Sequence, residues 1–321
     1  MALYLTEADV ETLLDMPTAI QAVEEGFRLL GEGRAKNHPR RRVMAGESVL
    51  HFMAAGSADL GNVGRGATGV KVYSSSKRGV RFTVLLYDDD GTPLAVIQAN
   101  RLGQMRTGAA SGVATRYLSR ENSREVAILG TGWQARGQLL AVKETRPIER
   151  VRACSKNPER CRAFCQEMEN ALGVPVEPSP TAENCVRDAD IVITATRSKD
   201  PVVLGKWLRP GVHINAIGSN WNNRRELDTP AVTACHRIAV DTLEVARLEA
   251  GDLIFPVQEG ALGWERVEEL GEIVAGKRPG RESDDQITLF CSQGLALEDV
   301  VVGRRLFDRA ESEGVGAHFE P

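Results

Sequence analysis

The chain begins with a helical pattern of hydrophobic residues. Between residues 6 and 32, apolar side chains recur every three or four positions, as they do on one face of an α-helix. Thr6 and Asp9 precede this run with the spacing of a capping box, in which a hydroxyl and a carboxylate satisfy the first backbone N–H groups. The pattern predicts helices over residues 6–32, the last of them ending at Gly31.

The next part of the chain alternates between apolar and polar residues, which is typical of half-buried strands. Strands are predicted at residues 51–56, 68–76 and 82–98. Asp90-Gly91 interrupts the third of these and predicts a hairpin turn. The glycine-rich segment 61–69 opens no helix, so we expect a turn or a mobile flap there. This antiparallel α+β region is followed by a predicted helix of small residues over 103–118.

From residue 124 onward, short apolar strands alternate with helices, and this order predicts βαβ units and a parallel sheet. The strands are predicted at residues 124–130, 149–154, 174–177, 189–196, 213–218 and 237–241. Residues 282–310 are predicted to form a final helical stretch that Gly294 and Gly303 interrupt. The expected fold is therefore α/β, with a parallel-sheet region that follows the α+β region.

Composition and charge add few constraints. Of 321 residues, 42% are hydrophobic and 26% are charged, which is typical of a globular protein. The 40 basic and 44 acidic residues leave a net charge of −4, which argues against a general nucleic-acid binder. Neither a signal peptide nor a membrane-spanning apolar run is evident, so we expect a cytoplasmic protein. The six cysteines form no CxxC pair and no histidine cluster accompanies them, so we expect free thiols and no metal.

A dinucleotide fingerprint follows the first strand of the α/β region. The segment GTGWQA, residues 130–135, has the form G-x-G-x-x-A and lies between a predicted strand and a predicted helix. The first glycine permits a tight turn, the second leaves room for a pyrophosphate, and the alanine lets the helix pack close to the strand. The alternative is a glycine-rich turn that binds no ligand. The residues predicted to bind the cofactor here are Gly130, Thr131, Gly132, Gln134 and Ala135.

The end of the second strand of this region bears on the choice of cofactor. Ser155 and Lys156 lie there, and no Asp or Glu occurs between residues 151 and 158. A hydroxyl and an ammonium group can hold a 2′-phosphate, so we predict NADP(H), with NAD(H) as the alternative if Lys156 is only a solvated surface residue. Further cofactor contacts are predicted at later strand ends, where the threonines could instead cap the following turns: Thr194, Ala195, Thr196, Ile217 and Gly218.

As a set, several stretches resemble the ornithine cyclodeaminase/mu-crystallin family, which includes an archaeal-type alanine dehydrogenase and cyclic ketimine reductases. The matching stretches are PRRRV (39–43), GVKVYS (69–74), TVLLYDDDGTPLAVIQANRLGQMRTGAAS (83–111), LGTGWQA (129–135), GVHINAIG (211–218), RELD (225–228), LGEIVAGKRPGRESDDQITLF (270–290) and QGLALEDV (293–300). The resemblance implies a homodimer with its active site in a cleft. It also implies that a Rossmann domain, residues 116–301, is inserted into a substrate-binding and dimerisation domain formed by residues 1–115 and about 302–321.

Three cations precede the Rossmann segment: Arg41, Lys71 and Arg106. Lys71 and Arg106 stand among small or apolar neighbours, where a charge is costly unless an anion meets it. Guanidinium and ammonium groups suit the α-carboxylate of an amino, imino or keto acid, and the family resemblance assigns them this role. From the residues alone, structural salt bridges are an equal alternative. Arg41 is flanked by Arg40 and Arg42, so its register could be displaced by one residue.

One position departs from the family pattern. For the cyclodeaminase and the alanine dehydrogenase, the resemblance implies an aspartate two residues after the glycine of GVHINAIG, where this sequence has Asn220. An amide can orient a substrate but cannot act as a general base near neutral pH. Trp221, the next residue, is predicted either to form a wall of the substrate pocket or only to pack. The predicted catalytic residues are Lys71, Arg106 and Asn220.

The resemblance supports two further assignments. It implies that Thr83 lies near the substrate and the nicotinamide, although a strand threonine without such a role is an alternative, and that Thr107 contacts the cofactor. Among the histidines, His51 is the choice if a proton donor is required, because its predicted strand is close in sequence to the cations.

These features favour an NADP-dependent oxidoreductase that acts on C–N bonds. Imine reduction needs a hydride and an oriented carboxylate, so the first hypothesis is reduction of a small cyclic ketimine carboxylate or interconversion of a keto acid and an L-amino acid. The second hypothesis is ornithine cyclodeaminase, an ammonia-releasing lyase with bound NAD, against which Asn220 and the missing ribose carboxylate both count. The third is an NADPH-bound ligand-binding protein like mu-crystallin.

Overall fold

The computed structural model describes residues 1–77 and 79–320. The chain divides into two compact units, residues 1–110 together with 294–321 and residues 111–293. Each unit is built around one sheet of eight strands.

The elements follow in chain order. The first unit contains β1 (Ala2–Leu5), α1 (Glu7–Leu13), α2 (Met16–Glu32), β2 (Lys36–Asn37), β3 (Arg41–Ala45), β4 (Ser48–Asp59), β5 (Arg65–Ser76), β6 (Gly79–Asp88), β7 (Pro93–Gln98) and α3 (Asn100–Leu118), within which the division falls. The second unit contains β8 (Glu125–Leu129), α4 (Trp133–Thr145), β9 (Arg150–Cys154), α5 (Pro158–Leu172), β10 (Val176–Pro178), α6 (Ala182–Val186), β11 (Ile191–Thr194), β12 (His213–Ala216), α7 (Thr229–Thr233), β13 (Arg237–Val240), α8 (Leu243–Glu249), α9 (Gly251–Gln258), β14 (Val267–Glu269), α10 (Leu270–Val274) and β15 (Thr288–Cys291). The chain returns to the first unit with α11 (Ala296–Glu313) and β16 (Ala317–Phe319).

The sheet of the first unit is largely antiparallel. Its order is β16-β1-β7-β6-β5-β4-β2, with β3 paired to β4, and the Asp90-Gly91 turn joins β6 to β7 as predicted. Because side chains alternate along a strand, one face packs against α11 and buries residues such as Met53 and Val84. The opposite face exposes Val43, Leu50 and Phe52.

The sheet of the second unit is wholly parallel, in the order β10-β9-β8-β11-β12-β15-β13-β14. Helices cover both faces: Leu139 of α4 and Phe164 of α5 pack in one core with Ile128, and Leu253 of α9 packs in the other with Ile214. This arrangement confirms the predicted α/β fold with a Rossmann-like domain. It also brings the carboxyl ends of β8, β9, β11 and β12 to one edge, where doubly wound sheets bind nucleotides.

The predicted bounds of three segments are wrong. Helix α2 continues past Gly31 to Glu32, and the next residue, Gly33, has a φ of 76° that suits a left-handed cap. Only the first part of 61–69 is a turn, because β5 already begins at Arg65. The stretch 282–310 contains the buried strand β15 before α11. The prediction missed this strand because a short apolar run cannot be assigned to strand or helix by periodicity alone.

The division between the units also differs from the sequence-based boundaries. The chain re-enters the first unit at Gly294, ahead of α11, whereas the predicted return near residue 302 falls inside that helix. A helix that packs along its length on β5 and α2 belongs to one unit as a whole. The first division lies after residue 110 rather than after 115. The substrate and cofactor roles of the two units stay predictions.

Two structural surveys concern the described residues only. No helix within 1–77 and 79–320 combines the length and the apolar character needed to cross a membrane. The same residues contain no group of three or more His, Cys, Asp or Glu side chains arranged to hold a metal ion. All six cysteines are free thiols, and Cys154 is the one that is only half-buried.

Candidate functional site

Two buried cations of the first unit lie on β5 and α3 and meet the first turn of α11. Lys71 Nζ donates a hydrogen bond of 2.6 Å to Asp299 Oδ1. Arg106 Nη1 donates one of 2.7 Å to Glu298 Oε2, and its Nε lies 3.3 Å from Asp299 Oδ1. We call Lys71, Arg106, Glu298 and Asp299 the cation cluster. Its four side chains are all at least nine-tenths buried.

Burial weakens the hold of Lys71 on its proton. Burial, and then the positive charge of Arg106, lower the pKa of Lys71 to about 8, although Asp299 opposes this change. Arg40, which is also buried, acts in the same direction as Arg106. Among the described residues Asp299 is the one hydrogen-bond acceptor of the Lys71 ammonium, which has three N–H groups. The cluster can therefore offer further donors to a carboxylate.

The acids of this cluster were missed by the sequence reasoning. Glu298 and Asp299 follow the same signal as Lys71, since they are charged residues in an otherwise apolar run, ALEDVVVG. The structural salt bridges considered as an alternative are therefore present. Glu298 also accepts a hydrogen bond of 3.2 Å from the backbone N–H of Leu295, which fixes it at the start of α11.

Arg41 and Thr83 do not join the cluster. Arg41 is exposed and pairs with Phe52, whereas Arg40 is 7% exposed and its charge acts on Lys71. Thr83 pairs with Val72, the neighbour of Lys71, so its side chain lies on the opposite face of the sheet. Within one chain, the structure therefore places neither Arg41 nor Thr83 beside Lys71, and the substrate roles of both residues stay predictions.

His51 is poorly suited to donate a proton. Its ring stacks on Tyr73 with centroids 4.2 Å apart, and Nε2 lies 3.0 Å from Ser75 Oγ. Burial, and then the charges of Arg42 and Arg40, lower the pKa of His51 to about 4. The imidazole is therefore neutral near pH 7, which argues against the expected role of a general acid.

The fingerprint residues 130–135 form a turn that suits a phosphate. Gly130 has a φ of 100°, and a Cβ there would lie 2.4 Å from the carbonyl oxygen of Ala195, so only glycine fits. Gly132 begins α4 without a side-chain cap, and nothing lies within 4 Å of the position of its missing Cβ. Open space over uncapped N–H groups at a helix N-terminus fits a pyrophosphate. Gln134 adds a buried Oε1 without a partner among the described residues, and Ala135 is fully buried. The carbonyl groups of Thr131 and Gly132 both accept hydrogen bonds from Arg136.

A buried carboxylate underlies the ends of β11 and β12. Glu226 Oε2 accepts hydrogen bonds of 2.8 Å from both the Thr194 hydroxyl and the Gly218 N–H, and Oε1 accepts one of 2.6 Å from the Thr196 N–H. Burial, and then the neighbouring Asp252, raise the pKa of Glu226 to about 7. The Thr194 hydroxyl therefore donates its hydrogen bond to a buried side chain of the protein. Thr196 Oγ1 accepts from the Ser198 N–H at 3.1 Å and so caps its turn, which was the alternative reading of the threonines.

Three other predicted cofactor residues differ in their surroundings. Ser155 donates a hydrogen bond of 3.1 Å to the carbonyl of Asn157 at the end of β9. Lys156 is exposed and forms no ion pair with another described residue. Thr107 is buried, and its hydroxyl donates to the carbonyl of Gly103 within α3 at 2.7 Å. Lys156 thus remains available to an anion, whereas the Thr107 hydroxyl is bonded inside its own helix.

Comparisons with known proteins identify the family of the chain. The sequence model of the ornithine cyclodeaminase/mu-crystallin family matches residues 2–314. The chain belongs to this family. It is 40% identical over 246 residues to a Δ1-pyrroline-2-carboxylate reductase of Bacillus cereus, covering 76% of this chain and 75% of the relative.

Solved structures of this family superpose over nearly the whole chain. The Δ1-pyrroline-2-carboxylate reductase of Thermococcus litoralis, in complex with NADH and L-proline, is 37% identical with a TM-score of 0.93, covering 99% of this chain and 100% of that one. An archaeal alanine dehydrogenase dimer with bound NAD is 35% identical with a TM-score of 0.92, covering 99% of both chains. The family resemblance and the prediction of an enzyme of this family are confirmed.

In this member of the ornithine cyclodeaminase/mu-crystallin family, the loop after β12 carries the departure from the expected aspartate. Asn220 is half-buried there, and the neighbouring Trp221 is 38% exposed. The guanidinium of Arg224 lies 5.7 Å from the centre of the Trp221 ring. Gly251 faces this loop so closely that a Cβ would lie 1.9 Å from the carbonyl oxygen of Arg224. The loop is thus held by backbone packing, with an indole at its surface.

Proposed function

We propose that this protein is an NAD(P)-dependent oxidoreductase that reduces a small cyclic ketimine carboxylate, such as pyrroline-2-carboxylate, to the corresponding amino acid. The observation that carries the proposal is the burial of Lys71 and Arg106 together on the helix-facing side of one sheet. Lys71 uses one of its three N–H groups on Asp299 and so keeps donors for a substrate carboxylate. Interconversion of a keto acid and an L-amino acid would use the same carboxylate site.

The proposed mechanism assigns binding and orientation to the protein. Lys71 and Arg106 hold the substrate carboxylate and so fix the position of the adjacent imine carbon, which is an orientation effect. Asn220 can hydrogen-bond to the substrate but cannot accept a proton as an aspartate would. Bound NAD(P)H supplies the hydride. A substrate that binds as the protonated iminium already carries its proton, so transfer of one hydride to the imine carbon completes the reduction. This step suits the residue set better than cyclodeamination, in which protons are transferred repeatedly.

We propose NADP(H) as the preferred cofactor, with NAD(H) as a second one. The support is the exposed Lys156 beside Ser155 at the end of β9, together with the absence of a carboxylate from residues 151–158. Ala195, Ile217 and Gly218 are proposed to contact the cofactor through their backbone at the neighbouring strand ends.

We propose a homodimer that is cytoplasmic and binds neither nucleic acid nor membrane. The support for the dimer is the exposed apolar face of the first sheet, with Val43, Leu50 and Phe52, and the dimeric state of the alanine dehydrogenase described above. Light scattering of the purified protein measures the oligomeric state directly.

The activity is tested by incubating the protein with NADPH and Δ1-pyrroline-2-carboxylate and following the absorbance of the reduced nicotinamide. We expect oxidation of NADPH that depends on the imine. Release of ammonia and proline from ornithine without net use of cofactor would instead identify a cyclodeaminase. Tight NADPH binding without turnover of any ketimine, or of any keto acid plus amine, would identify a ligand-binding protein.

A further inference from the structure

Glu226 lies at the ends of β11 and β12 and joins them through hydrogen bonds. Its carboxylate accepts hydrogen bonds from the turn after β11, at Thr194 and Thr196, and from the end of β12, at Gly218. Its carbonyl oxygen accepts from the N–H groups of Val202 and Val203 at 2.7 and 3.0 Å. The residue is fully buried.

The turn that Glu226 holds is in direct contact with the phosphate loop. The position of a Cβ on Gly130 would lie 2.4 Å from the carbonyl oxygen of Ala195, which immediately precedes Thr196. The position of a Cβ on Gly218 would lie 2.4 and 2.5 Å from the two oxygens of Glu226. The ends of β11 and β12 therefore pack around a single carboxylate, and the end of β8 packs against the turn that this carboxylate holds.

A second buried acid holds the main chain of Glu226. Asp252 Oδ1, in the first turn of α9, accepts hydrogen bonds of 2.7 and 2.8 Å from the N–H groups of Glu226 and Leu227. Two buried carboxylates are costly, because each loses its hydration. The cost is offset here by hydrogen bonds to both carboxylates. Apolar side chains could fill the same space without this cost, so the hydrogen bonds are the reason for the two acids.

We propose that Glu226 is a positioning residue of the cofactor site, whose carboxylate holds the turns after β11 and β12 in the shape that receives the nicotinamide dinucleotide. This inference rests on the proposed use of NAD(P). Glu226 itself need not touch the cofactor, because it acts through the Thr194 hydroxyl and the backbone N–H groups of Thr196 and Gly218.

The chemistry of the carboxylate makes the inference testable by an isosteric change. Glu226→Gln preserves size, but an amide has one oxygen and one NH2 group, so at least one of the Thr196 and Gly218 N–H groups would face a donor. We expect the Kd for NADPH and for NADH to rise roughly tenfold, since one charge-assisted hydrogen bond is lost and one buried donor is left unsatisfied. Glu226→Asp keeps the charge and should recover part of the affinity.

Asp190→Asn is the matched control. Asp190 is a buried carboxylate that accepts backbone hydrogen bonds from Arg124 and Glu125 at 2.7 and 2.9 Å, but at the amino end of the same sheet. A purely structural role for Glu226 predicts that both variants lower the melting temperature and leave the cofactor Kd unchanged. Positioning predicts that only the Glu226 variants change the Kd.

The measurements are the Kd values for NADPH and NADH, by quenching of protein fluorescence, at a temperature at which circular dichroism shows each variant folded. If Glu226→Gln does not fold, the comparison rests on Glu226→Asp. An unchanged Kd in a folded Glu226 variant, or an equal rise in Asp190→Asn, would overturn the inference while the proposed function stands. Failure of the wild-type protein to bind either nucleotide would overturn the proposed function and this inference with it.

Discussion

The cation cluster of the first unit and the candidate cofactor site at the ends of β8, β11 and β12 in the second unit place their charged side chains in opposite ways. In the cluster, Lys71 and Arg106 present side-chain charges that are compensated by Glu298 and Asp299 from a distant helix. At the strand ends, the groups suited to a ligand are backbone N–H groups and glycines, while the charged side chain, Glu226, faces the protein interior. One site thus offers side-chain charges, whereas the other offers mainly backbone groups, with the exposed Lys156 at the end of β9 as its charged side chain.

This difference predicts how each site responds to substitution. A side-chain site loses its ligand when one charge is removed, and the rest of the fold is affected mainly through the partners left behind. A backbone site tolerates changes of side chain but not of conformation or of the space near the main chain. The two sites should therefore be separable, with one set of variants affecting the carboxylate substrate and the other affecting the nucleotide.

The largest expected effect is that of Arg106→Ala. Removing the guanidinium takes away a donor proposed to bind the substrate carboxylate, so kcat/KM for a ketimine carboxylate should fall by about a thousandfold, with the Kd for NADPH unchanged. Glu298 and Asp299 lose a partner, so the free energy of unfolding should also fall, by about 3 kcal/mol. Steady-state kinetics and denaturant titration measure the two quantities.

Arg41→Ala is the control for that variant. Arg41 is an exposed arginine of the same region that the structure separates from the cluster. Within one chain its removal should leave both stability and turnover near the wild-type values. A loss as large as that of Arg106→Ala would mean that Arg41 of a second copy completes the site.

The next largest effect, a rise of about a hundredfold in the Kd for NADPH, is expected for Gly132→Ala. The φ of Gly132 is −83° and its Cβ position is open, so alanine should fit the free protein and leave the melting temperature unchanged. The added methyl group would occupy the space proposed for the pyrophosphate, so we expect the Kd for NADPH to rise by about two orders of magnitude. The matched variant Gly130→Ala should instead lower the melting temperature, because its φ is 100°. Equal nucleotide affinity in wild type and Gly132→Ala would remove the phosphate role from this loop.

Lys156→Asp is expected to lower the preference for NADPH over NADH, measured as the ratio of the two kcat/KM values, by about thirtyfold. The substitution replaces an ammonium that can pair with a 2′-phosphate by a carboxylate that repels it and can accept bonds from ribose hydroxyls. The ratio of kcat/KM for NADPH to that for NADH should therefore fall by about that factor. Lys143→Asp, which replaces another lysine of the same unit at the end of α4, should leave the ratio unchanged. A ratio that stays the same in Lys156→Asp would contradict the proposed preference.

The smallest effect concerns pH. The pKa of Lys71 is about 8, so the ammonium is present below that pH and is lost as the pH rises through it. Because kcat/KM reports the ionisation of the free enzyme, it should fall about tenfold for each pH unit above 8. Lys71→Arg keeps its charge throughout this range and should abolish the decline. A decline that persists in Lys71→Arg would assign the ionisation to another group.

Much of the second unit was predictable because its signals are local. The strand–turn–helix context of residues 130–135 specifies a tight turn, and Gly130 indeed has the left-handed φ that no other residue adopts easily. In the first unit, the antiparallel strands and the Asp90-Gly91 hairpin were predictable in the same way, from the alternation of apolar and polar residues and from the residues of the turn. The strand β15 was missed because four buried residues in a row have no period to distinguish.

The cation cluster was only partly predictable. Lys71 and Arg106 could be singled out because a charge among apolar neighbours needs a partner. Their acids could not be assigned, since Lys71 and Asp299 are separated by 228 positions. The role of Glu226 was likewise not predictable from the stretch RELD. No neighbouring residue in the sequence indicates that this carboxylate accepts hydrogen bonds from two strand ends.

The sequence by itself determined the fold class, the family and the tight turn at residues 130–135, because each depends on periodicity or residue chemistry within a few positions. Only the tertiary structure decided that Arg40 rather than Arg41 lies near Lys71, that Thr83 is on the opposite face, and that Glu226 joins the ends of β11 and β12. The physical reason is that strand pairing sets which face each side chain occupies, and a shift of one residue reverses it. Contacts between distant segments carry no local signal, so the partners of buried charges appear only when the chain is folded.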